Sequence, residues 1–150
     1  MNTLYRLSEK IKTELQSNTL INTVSYGDIE DIDLDKQTIF PLAHVNLTNA
    51  IIRSSSVEVN VSILLMDIVD ISKSEDVAYF GNDNEHDVLN SMLAAATKTV
   101  QELHRGNSYA EGFHLEDDAN CEFFTDRFEN KLAGVSLTFS VNIQNSADLC

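Results

Sequence analysis

Residues Ser56–Asp70, SVEVNVSILLMDIVD, decide the fold of this chain. The first half alternates between apolar and polar residues, which is typical of a strand with one buried and one exposed face. One side carries Val57, Val59, Val61, Ile63 and Leu65, and the other carries Glu58, Asn60 and Ser62. From Ile63 the alternation gives way to a continuous apolar run that ends at Met66. We therefore expect a strand that is covered on both faces toward its end.

Two further runs alternate in the same way. Leu42–Ile52, LAHVNLTNAII, places Ala43, Val45, Leu47 and Ile51 on one face. The polar turn Arg53–Ser55 joins this run to the first stretch, so the two predict an antiparallel hairpin. Gly134 opens the third run, VSLTFSVNIQ, which mirrors the first and predicts another strand.

The remaining elements define the fold class. Leu4, Leu7, Ile11 and Leu15 predict a helix over Thr3–Ser17, and an apolar stripe from Val88 to Leu103 predicts a second one. This second helix begins near Asn82 or Asn84 and ends at Arg105 and Gly106. Shorter strands are predicted over residues 20–27 and 121–128, with long loops over residues 71–84 and 107–120. The chain is thus predicted to be a single α+β domain of residues 1–150, with a mainly antiparallel sheet of about four to five strands and two helices mostly on one face.

Charge is the most unusual global property of the chain. Ten Lys and Arg against 24 Asp and Glu give a net charge of -14, and no basic cluster occurs. Binding DNA or RNA requires clustered Lys and Arg, so we expect this protein not to bind nucleic acid. The acidity has two interpretations, namely solubility or a surface that stays close to nucleic acid without adhering to it.

The sequence predicts a protein that is neither exported nor inserted in a membrane. No apolar run approaches the roughly 18 residues of a membrane span. The first residues, MNTLYRLSEKIK, do not have the apolar core of a signal peptide. Cys121 and Cys150 are expected to be free thiols, because a terminal cysteine has little to hold it in disulfide geometry.

No residue pattern predicts catalysis. His44, His86, His104 and His114 show no helical ligand spacing, and no catalytic, redox or phosphate-binding motif occurs. Asp31, Asp33 and Asp35 resemble the start of a calcium loop. However, Lys36 stands where such a loop needs glycine and Leu42 where it needs glutamate. We therefore expect no catalytic residue, no cofactor, no metal and no enzyme activity.

Four stretches of the chain carry a family resemblance. They span most of residues 22–145 and read NTVSYGDIEDIDLDKQTIFPLAHVNLTNA, SILLMDIVDISK, GNDNEHDVLNSMLAAATK and FTDRFENKLAGVSLTFSVNIQN. They resemble small structural proteins of tailed bacteriophages, including the crAss-like phages of gut Bacteroidetes. The likeness is greatest to a neck or tail-completion component with a tail-terminator type of fold, and it carries over no catalytic residue.

The resemblance implies a homo-oligomeric ring at the head-tail junction of a virion, assembled in the host cytoplasm. Its partners would be adjacent neck, portal-side or tail proteins, and DNA would pass through the ring without specific binding. We expect an acidic lumen, formed either by Asp28, Glu30, Asp31, Asp33 and Asp35 or by the loop Ser72–Asp76. We expect contacts between subunits at Leu64, Met66, Val77, Tyr79 and Phe80, with the loop at 71–84 reaching an adjoining subunit or ring.

Two alternatives remain open on the sequence. One is a tail-tube or barrel subunit of the same kind of virion. The other is a small soluble enzyme or ligand-binding module whose site joins distant residues, such as His44 with His114.

Overall fold

A computed structural model of the chain describes residues 3–27, 39–69, 85–105, 113–115, 118–127 and 132–144. Two helices and six strands lie in these ranges, with the long hairpin in the first half of the chain. The helices are α1 (Thr3–Ser17) and α2 (Glu85–Arg105), and the strands are β1 (Thr23–Tyr26), β2 (Leu42–Ile52), β3 (Ser56–Ile68), β4 (Phe113–Leu115), β5 (Asn120–Arg127) and β6 (Leu132–Gln144).

The strands form one mixed sheet, which confirms the predicted α+β class. Their order is β1-β2-β3-β6-β4, and β5 also pairs with β6, beside β4 on the same edge. All neighbours are antiparallel except β1 and β2, which run parallel. The count of six is slightly higher than predicted. The additional strand is β4, which lies within the range predicted as loop.

The alternation along β3 sets the two faces of the sheet as predicted. Val59, Val61, Ile63 and Leu65 are buried, while the residues between them are only partly buried. Each pairs with an apolar residue of β6, for example Val59 with Val141 and Ile63 with Leu137. Because directly paired residues point to the same side, these rows form one apolar face, called the core face below.

Both helices cover the core face. Leu7, Ile11 and Leu15 of α1 are fully buried in the same cluster as Met92 and Leu103 of α2. Leu4, which the helical pattern placed on the buried stripe, is instead about half exposed near the start of α1. One face of the sheet is thus closed by helices, and the other, called the outer face, is left to other contacts.

A buried asparagine joins the end of α1 to α2. Asn18 follows the last residue of α1, and its Oδ1 accepts a hydrogen bond from Leu20 N at 3.1 Å. Its Nδ2 donates to the carbonyl of Ala95 at 3.2 Å. The same carbonyl accepts the hydroxyl of Thr99 at 2.9 Å. Asn18 therefore ends α1 directly after the predicted helix Thr3–Ser17, and it also connects the two helices.

A bulge in β2 corrects the predicted face of Ile51. The register with β3 shifts between Leu47 and Asn49, which leaves Thr48 without a direct partner. Beyond this point Ala50 pairs with Val59, and Ile51 pairs with Glu58. Ile51 therefore lies on the outer face rather than with Ala43, Val45 and Leu47. The strict alternation in the sequence contained no sign of the extra residue.

Gly134 allows β3 and β6 to approach closely. It pairs with Met66 on one side and Phe124 on the other. A Cβ at this position would lie 1.9 Å from the carbonyl oxygen of Leu65 and 2.8 Å from Met66 Cα. Only glycine fits here without displacing backbone.

Candidate functional site

Most residues proposed for the lumen and for subunit contact lie outside the described residues. This holds for Asp28, Glu30, Asp31, Asp33 and Asp35, for Ser72–Asp76, and for Val77, Tyr79 and Phe80. These expectations stay predictions. The candidate residues that the structure does describe lie on the outer face and on the sheet edges.

The outer face carries an apolar cluster at one end. Met66 is 0% exposed and packs with Phe40, Leu42 and Leu132 of its own chain, and Leu64, Ile68 and Phe124 pack against this group. The sequence correctly indicated that β3 is covered on both faces here. It was wrong about Met66 as a contact for a neighbouring copy, because residues of the same chain already cover its side chain. Leu64 is only partly buried, so its proposed contact stays a prediction.

The other end of the outer face is polar and centred on Asn60. Its Nδ2 donates to Asn49 Oδ1 at 2.7 Å, and its Oδ1 accepts the hydroxyl of Ser140. The hydroxyl of Thr48, at the bulge, donates to the Asn60 carbonyl at 3.1 Å. A shallow groove of about 470 Å³ lies over these residues. Because the amides and hydroxyls bond to one another, they hold β2, β3 and β6 together across the face.

One edge of the sheet is open along the second half of β2. β1 pairs with β2 only from Leu42 to Val45. Beyond Val45, no described strand pairs with this side of β2, and its side chains are exposed apart from the partly buried Leu47. Ile52 is 81% exposed and Ile51 is 42% exposed. Unpaired N–H and C=O groups on such an edge can accept another strand.

The opposite edge is open along β5. This strand pairs with β6 on one side, and no described strand pairs with its other side. Glu122 and Thr125 are exposed, and Phe123 is 57% exposed. Neither edge was predicted as a contact surface. The adjacent apolar pair Ile51 and Ile52 at the end of an alternating run was the available signal for the first edge.

The side chain of His44 is buried, although the alternation of β2 predicts that it lies on the polar face of the strand, opposite Ala43 and Val45. It is 2% exposed, its Nδ1 lies 2.9 Å from Ser25 Oγ, and its Nε2 lies 2.7 Å from the carbonyl oxygen of Gly27. A carbonyl can only accept, so Nε2 carries a proton and donates it to Gly27, and Nδ1 accepts the Ser25 hydroxyl when the ring is neutral. The histidine thus links β1 and the residue that follows it to β2.

The structure does not bring His44 together with His114. His114 lies on β4, which is separated from β2 by β3 and β6. The enzyme alternative that joined these two histidines is therefore wrong in that pairing. The hydrogen bond from Ser25 to His44 resembles half of a nucleophile and base pair, but a backbone carbonyl holds the second ring nitrogen where hydrolases use a carboxylate.

A second groove, of about 410 Å³, lies between α2 and β5. Its lining includes Leu93, Val100, Ala119 and Cys121. Burial raises the pKa of the Cys121 thiol, so the thiolate that reacts with electrophiles is disfavoured. Among the described residues, no three His, Cys, Asp or Glu side chains are grouped so that they could hold a metal ion.

Comparisons with known proteins identify no family. The chain matches no protein-family model, and no curated protein matches it. Within the described ranges, neither α1 nor α2 has the length and apolar character that a membrane-spanning helix needs.

Proposed function

We propose that this protein is a structural subunit of a tailed-phage virion that assembles into a ring at the head-tail junction. In this role it joins neighbouring neck or tail proteins and leaves an acidic channel through which DNA passes. The proposal combines the family resemblance with three physical features, namely the charge, the outer face and the sheet edges.

The observation that carries the proposal is a pair of edges, on opposite sides of one sheet, with which no other strand of the described residues pairs. A subunit with two different open edges can contact one neighbour on each side. Such head-to-tail contacts generate a ring when the rotation between copies closes. β2 and β5 offer these two edges, each with an exposed apolar side chain.

The charge of the chain supports a conduit for DNA. Residues 1–18 carry a net charge of +1, so the rest of the chain accounts for -15. Acidic side chains around a channel repel phosphates, which prevents DNA from adhering as it moves. Small polar side chains of the outer face, such as Ser62, Thr138 and Ser140, suit either water or a neighbouring subunit.

The first test is the assembly of the purified chain. Light scattering after size-exclusion chromatography is expected to give a defined oligomer, and electron microscopy is expected to show rings with a central channel. Recovery of the protein in virions at a fixed copy number would support the same conclusion. A protein that stays monomeric at all accessible concentrations and is missing from particles would overturn the proposal.

The second test addresses the lumen. Neutralising Asp28, Glu30, Asp31, Asp33 and Asp35 to the corresponding amides should leave rings intact and slow the release of the genome. A matched variant would neutralise an equal number of carboxylates elsewhere, including the exposed Glu9, Asp87 and Glu102. Equal release rates in the two variants would show that the first segment does not line the channel.

A further inference from the structure

We infer that β5 of one copy pairs antiparallel with the open part of β2 in the next copy, so that the sheet continues from subunit to subunit. The inference rests on the proposed function, because it specifies how the ring closes. The occupant of each edge is a second copy of this chain. Charge, register, side-chain position and strand inclination each support this pairing.

Charge favours contact between these two edges. No Asp or Glu occurs between Asp35 and Glu58, and Arg53 is the only charged residue of β2 and its turn. The other edge is acidic, since the exposed Asp118 precedes β5, and Glu122 and Asp126 outnumber Arg127 within it. In a chain of charge -14, two β5 edges would repel each other, whereas β2 itself carries no carboxylate and Arg53 at its end pairs with Glu58 of β3 at 2.6 Å.

The strand directions make the junction antiparallel. β2, β3, β6 and β5 are successive antiparallel neighbours, so β2 and β5 run in opposite directions. A rotation about a ring axis preserves the direction of each strand along that axis. β5 of one copy therefore meets β2 of the next in antiparallel orientation, and the rotation keeps the core face on the same side.

One register matches the faces of the two edges. Placing Phe123 opposite Ala50 aligns the regular part of β5, Asn120–Phe124, with Asn49–Arg53, beyond the bulge of β2. Both residues lie on the core face, because they pair with Val135 and Val59. Cys121 then lies opposite Ile52, and Phe123 lies diagonal to Ile52. The exposed apolar side chains of the two edges thereby cover each other.

This register also fixes the inclination of the strands. Ala50 pairs with Val59, which in turn pairs with Val141 of β6, whereas Phe123 pairs with Val135 of β6. Val141 and Val135 are six residues apart along β6. Six residues extend about 20 Å along a strand, and four strands span about 19 Å across the sheet. In a ring, all copies lie at the same height along the axis. The strands must therefore be inclined by about 45° to that axis. Closed sheets have strand tilts of about 35–45°, so the junction is compatible with a ring.

A cysteine cross-link tests the pairing directly. In full-length protein carrying Cys150→Ser, the variant Ile52→Cys places a thiol opposite the native Cys121 of the next copy. Directly opposed residues of antiparallel strands have Cβ atoms about 4.5–5.5 Å apart, and small local shifts bring them within disulfide reach. Mild oxidation is expected to yield a ladder of linked subunits, with the 52–121 peptide pair identified by mass spectrometry.

Two control variants define the outcomes. Adding Cys121→Ser should abolish the ladder, and Leu20→Cys, at an exposed site outside β2 and β5, should give none. Dimers linked through position 52 alone would show that β2 pairs with β2 and would overturn the inference. Rings without a 52–121 link would also overturn it, while leaving the proposed function intact. Linked chains that never form rings or enter virions would support the pairing and contradict the proposed function.

A substitution on the same edge gives a second, independent readout. Ile52→Asp places a carboxylate in the junction, and the side chain is so exposed that folding of the subunit should not depend on it. We expect the dissociation constant of the assembly to rise at least about tenfold. Tyr5→Asp, at a 76% exposed site on α1, is the matched control and should leave it unchanged. Equal effects of the two variants would count against the pairing.

Discussion

The substitution Gly134→Ala tests the close approach of β3 and β6. The added Cβ would meet the Leu65 carbonyl oxygen at 1.9 Å, Met66 Cα at 2.8 Å and the Leu65 carbonyl carbon at 2.9 Å. All three are backbone atoms, so no side-chain rotation can relieve the contact. The two strands must move apart at the position where β6 also pairs with Phe124.

The expected cost follows from these contacts. Overpacking in a core costs about 1–3 kcal/mol, and a clash with backbone belongs at the upper end of that range. Alanine restricts the unfolded chain, which returns about 0.4–1 kcal/mol. The free energy of unfolding should therefore fall by about 2 kcal/mol. For a domain of this size the melting temperature should drop by about 4–8 °C.

Urea unfolding at fixed protein concentration, followed by circular dichroism, measures this loss. The midpoint should fall while the slope of the transition stays constant. Gly27→Ala is the matched control, because no atom lies within 4 Å of its Cβ position and only the φ of +95° is strained. That strain costs about 1 kcal/mol. If Gly134→Ala is no less stable than wild type, the steric argument is refuted.

Two further predictions concern β3. Met66→Ala should reduce the free energy of unfolding of the subunit by about 2–5 kcal/mol, because it empties a fully buried site, whereas Leu64→Ala should cost less. Chemical denaturation compares the two, and equal losses would contradict the assignment of Met66 to the interior of its own chain. Burial raises the pKa of Asp67. The hydrogen bond that its carboxylate accepts from Ile68 N lowers this pKa, but by less. The folded chain then binds this proton more tightly than the unfolded chain, so the carboxylate lowers stability as the pH rises above its ordinary pKa of 3.8. Asp67→Asn should therefore be more stable than wild type at pH 7, and the difference should vanish below pH 3.8. A difference in stability that does not depend on pH would contradict this.

Much of the fold was predictable because its signals are local. The alternation from Val57 to Leu65 fixed which face of β3 is buried, and the spacing of Leu7, Ile11 and Leu15 fixed the buried stripe of α1. The hairpin of β2 and β3 also followed from two runs and a short turn. Each of these features depends on residues that are neighbours in the sequence.

Other features depended on contacts between distant residues. The sequence could not assign β4, because three residues are too short to show a period and the strand exists only through its pairing with β6. Nor could it show that β1 runs parallel to β2, or that Ser25 and Gly27 hold His44. These pairings arise from how the sheet assembles, which no local period encodes.

For the candidate site, the sequence by itself determined that the chain is acidic and that β3 is covered on both faces near Met66. Only the tertiary structure decided that Phe40, Leu42 and Leu132 of the same chain cover Met66. It also decided that β2 and β5 have edges with which no described strand pairs. Composition and alternation report the chemistry of a strand, whereas strand order determines which of its edges has a partner, and strand order is a property of the whole sheet.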